Sequence, residues 1–294
     1  MNRRKFIQHS AMASLAVSAS PLFGSASSPL NKKSLKFGMI KEDISLLDKF
    51  KLVKELGFDG VELDSPNDLN EKDILMARDK SGIMLPGVIN SIHWKSPLSD
   101  PDPAVRKICT DSMIDALNKC KLYGGTTVLL VPAVVNKDVS YADAWKRSVE
   151  EIKKILPEAH KTGIKIAIEN VWNNFLLSPM EAAHYIDQFD SDHIGWYMDV
   201  GNIVRYGWPE QWISTLGPRI LKVDVKEYSR KKQQEEGIWK GFSVEIGDGD
   251  CDWANVNKAL KDIGYSGWGS AEVPGGDRAR LEEISQRMDA IFAL

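Results

Sequence analysis

The stretch KIAIENVW, residues 165–172, decides the fold of this chain. Apolar residues surround one carboxylate, Glu169, and the run is short and rich in β-branched side chains. Such a run is typical of a strand that is buried on both faces of a sheet. A carboxylate at the end of a buried strand is costly unless a partner compensates its charge. The stretch therefore predicts a buried parallel strand whose end holds a ligand or an ionic partner.

The rest of the chain repeats this pattern. Seven further apolar runs predict strands at LKFGMI (35–40), GVELDS (60–65), MLPGVIN (84–90), TVLLVPAVV (127–135), IGWYMDV (194–200), ILKVDVKEY (220–228) and WGSAEV (268–273). Amphipathic segments with helical spacing lie between most of them, for example at 44–60, 104–124 and 143–163. Eight strands that alternate with helices predict a (β/α)8 TIM barrel. A doubly wound sheet is the alternative, but it needs a glycine-rich turn after the first strand, which GMIKEDIS (38–45) does not provide.

The first 26 residues have the composition of a signal peptide, with a basic start, an apolar middle and a small-residue end. Arg3 and Arg4 resemble a twin-arginine export signal, and a cut after Ala26 is expected. An ordinary secretory signal or an uncleaved anchor is the alternative. We expect a linker at 27–34, a single barrel domain at 35–294 and a periplasmic or exported protein.

Composition excludes several classes of function. A net charge of −3 and a pI near 6.0 show no excess of positive charge of the kind that nucleic-acid binding requires. The apolar part of the leader is too short for a stable membrane anchor. Only five histidines are present, which disfavours a metal-dependent endonuclease on the same fold. The three cysteines form no CxxC pattern, so no full set of disulfides is expected.

Carboxylates follow four successive predicted strands, at Glu169, Asp199, Asp224 and Glu272. The active site of a TIM barrel lies at the carboxyl ends of its strands, so these groups should converge. Each acid alone has an ordinary interpretation as a helix cap or an ion-pair partner. Together they would repel one another, and a divalent cation would relieve the repulsion. Oxygen-rich ligation favours Mn²⁺ or Mg²⁺.

The segments IAIENVW, WYMDVGN, VDVKEY, GDGDCDW and GSAEVPGG occur in this order between 166 and 276. They resemble the xylose isomerase-like TIM barrel family of sugar isomerases and epimerases. The resemblance implies one divalent metal, with Mn²⁺ or Mg²⁺ preferred and Co²⁺ or Zn²⁺ as alternatives. It implies Glu169, Asp199 and Glu272 as ligands, and it makes Glu169 and Glu272 the catalytic proton-transfer pair.

The chain departs from the family pattern after the seventh strand, where Asp224 stands in place of a histidine. Asp224 either replaces that histidine as a fourth ligand, which we favour, or signals weakened or lost metal binding. The segment GDGDCDW (247–253) corresponds to a pocket rim in the family. Its Gly and Asp content also fits a turn that ends at the N-cap of a helix near Trp253, and we favour this for Asp248 and Asp252.

The predicted activity is isomerisation or epimerisation of a sugar or keto-sugar by proton abstraction next to a carbonyl. Export and the lack of a phosphate-binding glycine loop favour an unphosphorylated small-molecule substrate. A lyase that eliminates a β-substituent and a non-catalytic sugar-binding barrel are the alternatives. A homo-oligomer is compatible with the sequence. Expected substrate contacts are Glu62, His93, Asn202 and Lys226.

Overall fold

The computed structural model describes residues 28–294, in which eight parallel strands close into a barrel in chain order. The strands are β1 Leu30–Lys36, β2 Gly60–Ser65, β3 Gly87–Asn90, β4 Thr127–Leu130, β5 Lys165–Glu169, β6 Ile194–Asp199, β7 Ile220–Val225 and β8 Gly267–Ala271. β1 pairs with both β2 and β8, which closes the sheet. The predicted TIM barrel is confirmed. The expected signal peptide at 1–26 lies outside the described residues.

Helices follow most strands and cover the outside of the barrel. They are α1 Leu46–Glu55, α2 Glu71–Ser81, α3 Pro103–Tyr123, α4 Tyr141–Thr162, α5 Pro179–Asp187, α6 Val200–Val204, α7 Pro209–Leu216, α8 Arg230–Glu236, α9 Trp253–Asp262 and α10 Arg278–Phe292. Their ends follow from local chemistry. The Ser140 side chain accepts a hydrogen bond from Asp143 N at the start of α4, and Gly163 ends that helix in a left-handed conformation.

The first strand lies earlier in the chain than the sequence predicts. The expected linker at 27–34 is wrong beyond residue 29, because β1 begins at Leu30 and pairs with Gly267 of β8. The three residues Phe37–Met39, expected in the strand, form one turn of 3-10 helix. The long segment between β7 and α9 contains α8 and a 3-10 turn at Ile238–Phe242.

The main hydrophobic core lies between the barrel wall and the surrounding helices, and it includes Trp196, Tyr185 and Ile155. The barrel interior is instead rich in buried charged residues such as Lys222, Glu62 and Asp224. Within residues 28–294, no helix is long and apolar enough to cross a membrane. The three cysteines, all in this range, are buried and form no disulfide.

Candidate active site at the carboxyl ends of the strands

The four predicted carboxylates meet at the carboxyl end of the barrel. Glu169 and Asp199 are the last residues of β5 and β6, Asp224 is the second-last residue of β7, and Glu272 directly follows β8. One carboxylate oxygen from each lies within 4.8 Å of the others. We call these four residues the carboxylate cluster. Its convergence follows from the parallel barrel, which brings the ends of successive strands to one face.

Two lysines from the barrel contact the carboxylate cluster. Lys226 Nζ lies 2.9 Å from Asp199 Oδ2 and 3.3 Å from Glu272 Oε1. Lys36 Nζ lies 2.8 Å from Asp224 Oδ1. Asp199 and Asp224 are completely buried, whereas the Glu272 side chain is about a third exposed. Two ammonium groups therefore compensate only half of the negative charge that four ionised carboxylates would carry.

Burial and mutual repulsion shape the protonation of the cluster. Burial, followed by the charges of Glu272, Asp224 and Asp199, raises the pKa of Glu169 well above its usual range. Burial also raises the pKa of Asp224, although Lys36 opposes it. For Glu272, burial acts in the same direction, but Lys226 and Lys36 outweigh it and lower the pKa. The cluster therefore favours binding of a proton or of a further cation.

A second polar layer lies one step deeper in the barrel, and it contains Lys36, Glu62, Tyr197, Lys222 and Ser270. Its members on β6, β7 and β8 precede cluster residues by two positions and therefore project from the same face of each strand. Glu62 accepts hydrogen bonds from Lys222 Nζ at 2.6 Å, Lys36 Nζ at 2.8 Å, Tyr197 OH at 2.8 Å and Ser270 Oγ at 3.1 Å. We call this the ion-pair layer.

Glu62 was expected to contact substrate, and the structure corrects this expectation. Its carboxylate is 1% exposed and is saturated by partners within the barrel. The small size of Gly87 makes room for this arrangement, because a Cβ there would lie 2.7 Å from Glu62 Oε1 and would collide with Lys222 Nζ. Glu62 is therefore a structural carboxylate that holds the barrel interior together.

A cavity of about 550 Å³ opens above the carboxylate cluster. It is lined by Trp94, Glu169, Val171, Trp172, Asn202, Lys226, Glu227, Trp239, Phe242, Glu272, Val273 and Pro274. Two of the predicted substrate contacts, Asn202 and Lys226, belong to this lining. Asn202 is held in place, since its Nδ2 donates to Asn170 O at 3.0 Å and its backbone O accepts from Trp172 Nε1 at 2.9 Å.

His93 differs from the other predicted contacts because it lies behind the cavity lining. It is 3% exposed, and its Nδ1 accepts a hydrogen bond from Val131 N at 3.3 Å. This bond leaves the proton of the neutral ring on Nε2. Burial lowers the pKa of His93 to about 4, against the opposing charge of Glu272. The neighbouring Trp94, rather than His93, reaches the cavity.

Sequence reasoning gave no role to two residues that build the site. Asn170 Oδ1 accepts from Trp196 Nε1 and from Asp199 N, both at 3.0 Å, and this fixes the end of β6. Glu227 accepts from Gly247 N at 2.8 Å, Cys251 N at 3.1 Å and Trp253 Nε1 at 2.9 Å. A polar residue close to a strand end, Asn170 after β5 and Glu227 after β7, was the available signal, but the partners of both residues are distant in sequence.

The turn that Glu227 organises is GDGDCDW, and its predicted capping role is confirmed for one residue. Asp252 is the N-cap of α9, where its side chain accepts from Asn255 N. Asp248 instead contacts Arg287 Nη1 at 3.0 Å, so it acts as a surface ion-pair partner. The turn therefore supports the site from behind through Glu227, which itself lines the cavity.

The donor set of the carboxylate cluster fits a hard divalent cation. Among the described residues, Asp199 Oδ2 and both carboxylate oxygens of Asp224 are buried without a hydrogen bond, although lysine ammonium groups lie in ionic contact. Buried carboxylate oxygens that lack hydrogen bonds are costly unless a cation compensates them. All four cluster residues offer oxygen ligands, which Mn²⁺ and Mg²⁺ prefer.

The chain is similar in sequence to a known family and to several curated proteins. The profile of the xylose isomerase-like TIM barrel family matches residues 50–293. A putative L-ribulose-5-phosphate 3-epimerase of Escherichia coli is 24% identical over 245 residues, which are 78% of this chain and 83% of the relative. A D-psicose 3-epimerase of Ruminiclostridium cellulolyticum is 25% identical over 229 residues, which are 73% of each chain.

Solved structures agree on the fold. The apo 3-keto-D-glucoside 4-epimerase of Escherichia coli superimposes with a TM-score of 0.75 at 16% identity, over 90% of this chain and 99% of that structure. The curated relatives are sugar epimerases by name, which supports an enzyme of the isomerase and epimerase class. With the family profile matched along most of its length, the chain belongs to the xylose isomerase-like TIM barrel family.

Proposed function

We propose that the protein epimerises or isomerises an unphosphorylated sugar or keto-sugar by moving a proton next to a carbonyl group. The observation that carries the proposal is the convergence of four carboxylates within 4.8 Å of one another, two of which, Glu169 and Glu272, line one cavity. Removal of a proton next to a carbonyl needs a base and stabilisation of the developing enolate oxygen. A carboxylate supplies the base, and positive charge supplies the stabilisation.

The two glutamates of the cluster are the proposed catalytic pair. Glu169 ends β5 and Glu272 follows β8, so their carboxylates enter the cavity from different sides of the barrel mouth. In epimerisation, one carboxylate takes the proton from carbon and the other returns a proton to the opposite face. In isomerisation, one carboxylate moves the proton between neighbouring carbon atoms. Lys226 and Asn202, which line the cavity, are placed to donate hydrogen bonds to substrate oxygens.

We further propose that Glu169, Asp199, Asp224 and Glu272 hold one divalent cation, Mn²⁺ or Mg²⁺ by preference. When bound, such an ion supplies Lewis-acid polarisation of the substrate carbonyl. The buried oxygens of Asp199 and Asp224 that lack hydrogen bonds support this proposal. The incomplete charge compensation by Lys36 and Lys226 supports it as well.

The lining of the cavity favours a substrate without phosphate. Within the described part of the chain, Lys226 is the one basic residue of this lining, and Asp199 and Glu272 already engage it. Glu169, Glu227 and Glu272 would repel a phosphate group. In this respect we expect the enzyme to act like the relative named for psicose rather than the relative named for a sugar phosphate.

A second candidate is metal-free sugar binding, and one observation favours it. The Lys226 ammonium group already contacts two cluster residues, so the protein itself supplies some of the positive charge. The lyase alternative gains no support from the curated relatives described above, which are named as epimerases.

The experiment that tests the proposed function is deuterium exchange at carbon. A panel of ketoses and keto-glycosides is incubated with the purified protein in deuterium oxide, with and without Mn²⁺. We expect metal-stimulated exchange at the carbon next to the carbonyl of at least one sugar. Sugar binding without exchange under every metal condition would favour the binding-barrel alternative instead.

We also propose export through the twin-arginine route, on the basis of Arg3 and Arg4 and the apolar stretch that follows them. Replacing both arginines by lysine should retain the protein in the cytoplasmic fraction, as measured by cell fractionation. An unchanged distribution would refute this route.

A further inference from the structure

The outer half of the cavity is built from aromatic rings. Trp94 follows β3, Trp172 follows β5, and Trp239 and Phe242 lie in the segment after β7. All four line the same cavity as the catalytic glutamates, and we call them the aromatic rim. Trp94 is 52% exposed and Trp239 is 70% exposed, which is unusual for large apolar side chains. The rim therefore presents apolar faces to whatever enters the site.

Two members of the rim stand on opposite sides of the barrel mouth. In a closed barrel of eight strands, three strands lie between β3 and β7 in either direction. The segments that carry Trp94 and Trp239 therefore face each other across the opening, while both side chains contact the same cavity. This arrangement suits a ring that enters between two apolar surfaces.

One wall of the rim runs continuously from the reaction centre to the surface. The Phe242 ring lies 5.5 Å from Lys226 Nζ, and its centroid is 4.8 Å from that of Trp172. The Trp172 ring is in turn 5.0 Å from that of Trp239. Trp239 is therefore two ring contacts further from Lys226 than Phe242 is. A ligand that contacts Trp239 while it reacts beside Lys226 must therefore extend past Phe242 and Trp172.

The inner part of this wall is held rigidly from behind. Tyr228 packs edge-on against Trp172 at 5.6 Å and against Phe242 at 4.8 Å. The Tyr228 hydroxyl donates toward Gln233 Oε1 at 2.7 Å or Ile238 O at 2.8 Å, which ties it to α8 and the following turn. The wall is thus preorganised, which lowers the ordering cost of binding a second ring.

We propose that the aromatic rim is a subsite for a second ring, so that the substrate is a glycoside of the reacting keto-sugar rather than the free sugar. The attached ring, either a sugar or an aromatic aglycone, stacks on Trp239 and Trp94. This inference rests on the proposed function for the reacting sugar ring. Burial of aromatic surface supplies the affinity, since each tryptophan offers a large apolar area at small entropic cost.

Binding measurements test the subsite without turnover. The wild-type protein is titrated with methyl β-D-glucoside, phenyl β-D-glucoside and cellobiose, followed by tryptophan fluorescence and calorimetry. We expect phenyl glucoside or cellobiose to bind about tenfold more tightly than methyl glucoside. The stronger ligand of the two identifies the attached ring as aromatic or as a sugar. Equal affinity for all three ligands would overturn the proposal.

Substitutions in the aromatic rim test whether it causes this preference. The double variant Trp94→Ala/Trp239→Ala should lose the preference, and both side chains are exposed enough for the fold to tolerate their removal. Trp208→Ala is the matched control, because Trp208 is 55% exposed but lies under Arg230, outside the cavity lining. A preference that survives in the double variant overturns the proposal. Absence of deuterium exchange in every sugar would instead refute the proposed function. The binding measurements would still test the subsite independently.

Discussion

The two polar layers inside the barrel differ in how their charges are balanced. In the ion-pair layer, the one carboxylate, Glu62, receives two lysine ammonium groups and two hydroxyl groups. In the carboxylate cluster, four carboxylates share Lys226 and the same Lys36 that contacts Glu62, and several buried oxygens of the described residues lack hydrogen bonds. Removing one partner from a fully paired buried charge destabilises the fold, whereas buried carboxylates that lack hydrogen bonds favour the binding of a cation. The comparison therefore distinguishes a carboxylate that is fully paired within the barrel from carboxylates that are available to a ligand.

The largest expected effect comes from removing a charge in the carboxylate cluster. Glu169→Gln and Glu272→Gln should each reduce turnover by about 10²–10⁴-fold, as is typical for loss of a catalytic acid or base. The melting temperature of Glu169→Gln in metal-free buffer should stay near that of the wild type, since this change relieves repulsion in the cluster. Glu282→Gln on the exposed face of α10 is the control. Full activity in either cluster variant would refute its catalytic role.

In the ion-pair layer, removing a carboxylate should reduce the stability of the fold. Glu62→Gln should destabilise the fold by about 3–5 kcal/mol, because it leaves Lys36 and Lys222 as partly unpaired buried charges. Urea unfolding followed by circular dichroism measures the free energy of unfolding. Glu169→Gln serves as the matched carboxylate from the cluster. A loss of stability that is no greater for Glu62→Gln than for Glu169→Gln would erase the distinction between the layers.

Asp224 connects the two layers, since its partner Lys36 also binds Glu62. If Asp224 is a metal ligand, Asp224→Ala should weaken Mn²⁺ binding by at least about tenfold. Asp224→His should shift the preference towards softer ions such as Co²⁺ or Zn²⁺. Calorimetric titration of the three proteins with each ion measures both effects. A wild type that binds no divalent ion, beside an Asp224→His variant that binds one tightly, would rule out the ligand role of Asp224.

The sequence was sufficient for the barrel because its strands follow apolar runs. β2 spans the predicted run at 60–65, and the runs predicted from 165, 194 and 220 begin where β5, β6 and β7 begin. β1 was misplaced because its first half carries three polar residues at 31–33, which hide the strand pattern. The helix α8 was missed because the segment RKKQQEE has no apolar face, and none of its residues is buried.

The same reasoning explains which part of the site could be predicted. The parallel barrel brings strand ends together, so an acid at each of four ends was enough to predict the cluster. The contact of Asp224 with Lys36 could not be predicted, because Lys36 on β1 approaches Asp224 on β7 only across the interior of the closed barrel. Glu62 was misassigned for the same reason. The sequence around a carboxylate in a strand does not show whether its partners are lysines of the barrel or a bound ligand.

The last expected effect is a pH dependence of stability at His93, whose pKa responds to the charge of Glu272 in the cluster. Its pKa is lowered to about 4 by burial, while the unfolded chain has an ordinary histidine pKa near 6.5. Between these values the unfolded state binds the proton and the folded state does not, so His93 reduces stability as pH falls from about 6.5 to 4. The contribution reaches about 3 kcal/mol at the acidic end. His93→Gln should flatten this part of the stability curve, and His184→Gln, on the exposed face of α5, should not.

Nuclear magnetic resonance of the histidine rings adds a direct readout of the same group. In the wild type, the His93 ring should stay neutral with its proton on Nε2 down to about pH 5, because Val131 N occupies Nδ1. Glu272→Gln removes the negative charge that favours protonation of His93, so the pKa of His93 should fall further in that variant. A His93 pKa between 6 and 7 in the wild type would contradict both its burial and its separation from the solvent-exposed cavity. A pKa that does not respond to Glu272→Gln would show instead that the charge of the cluster is already neutralised around Glu272.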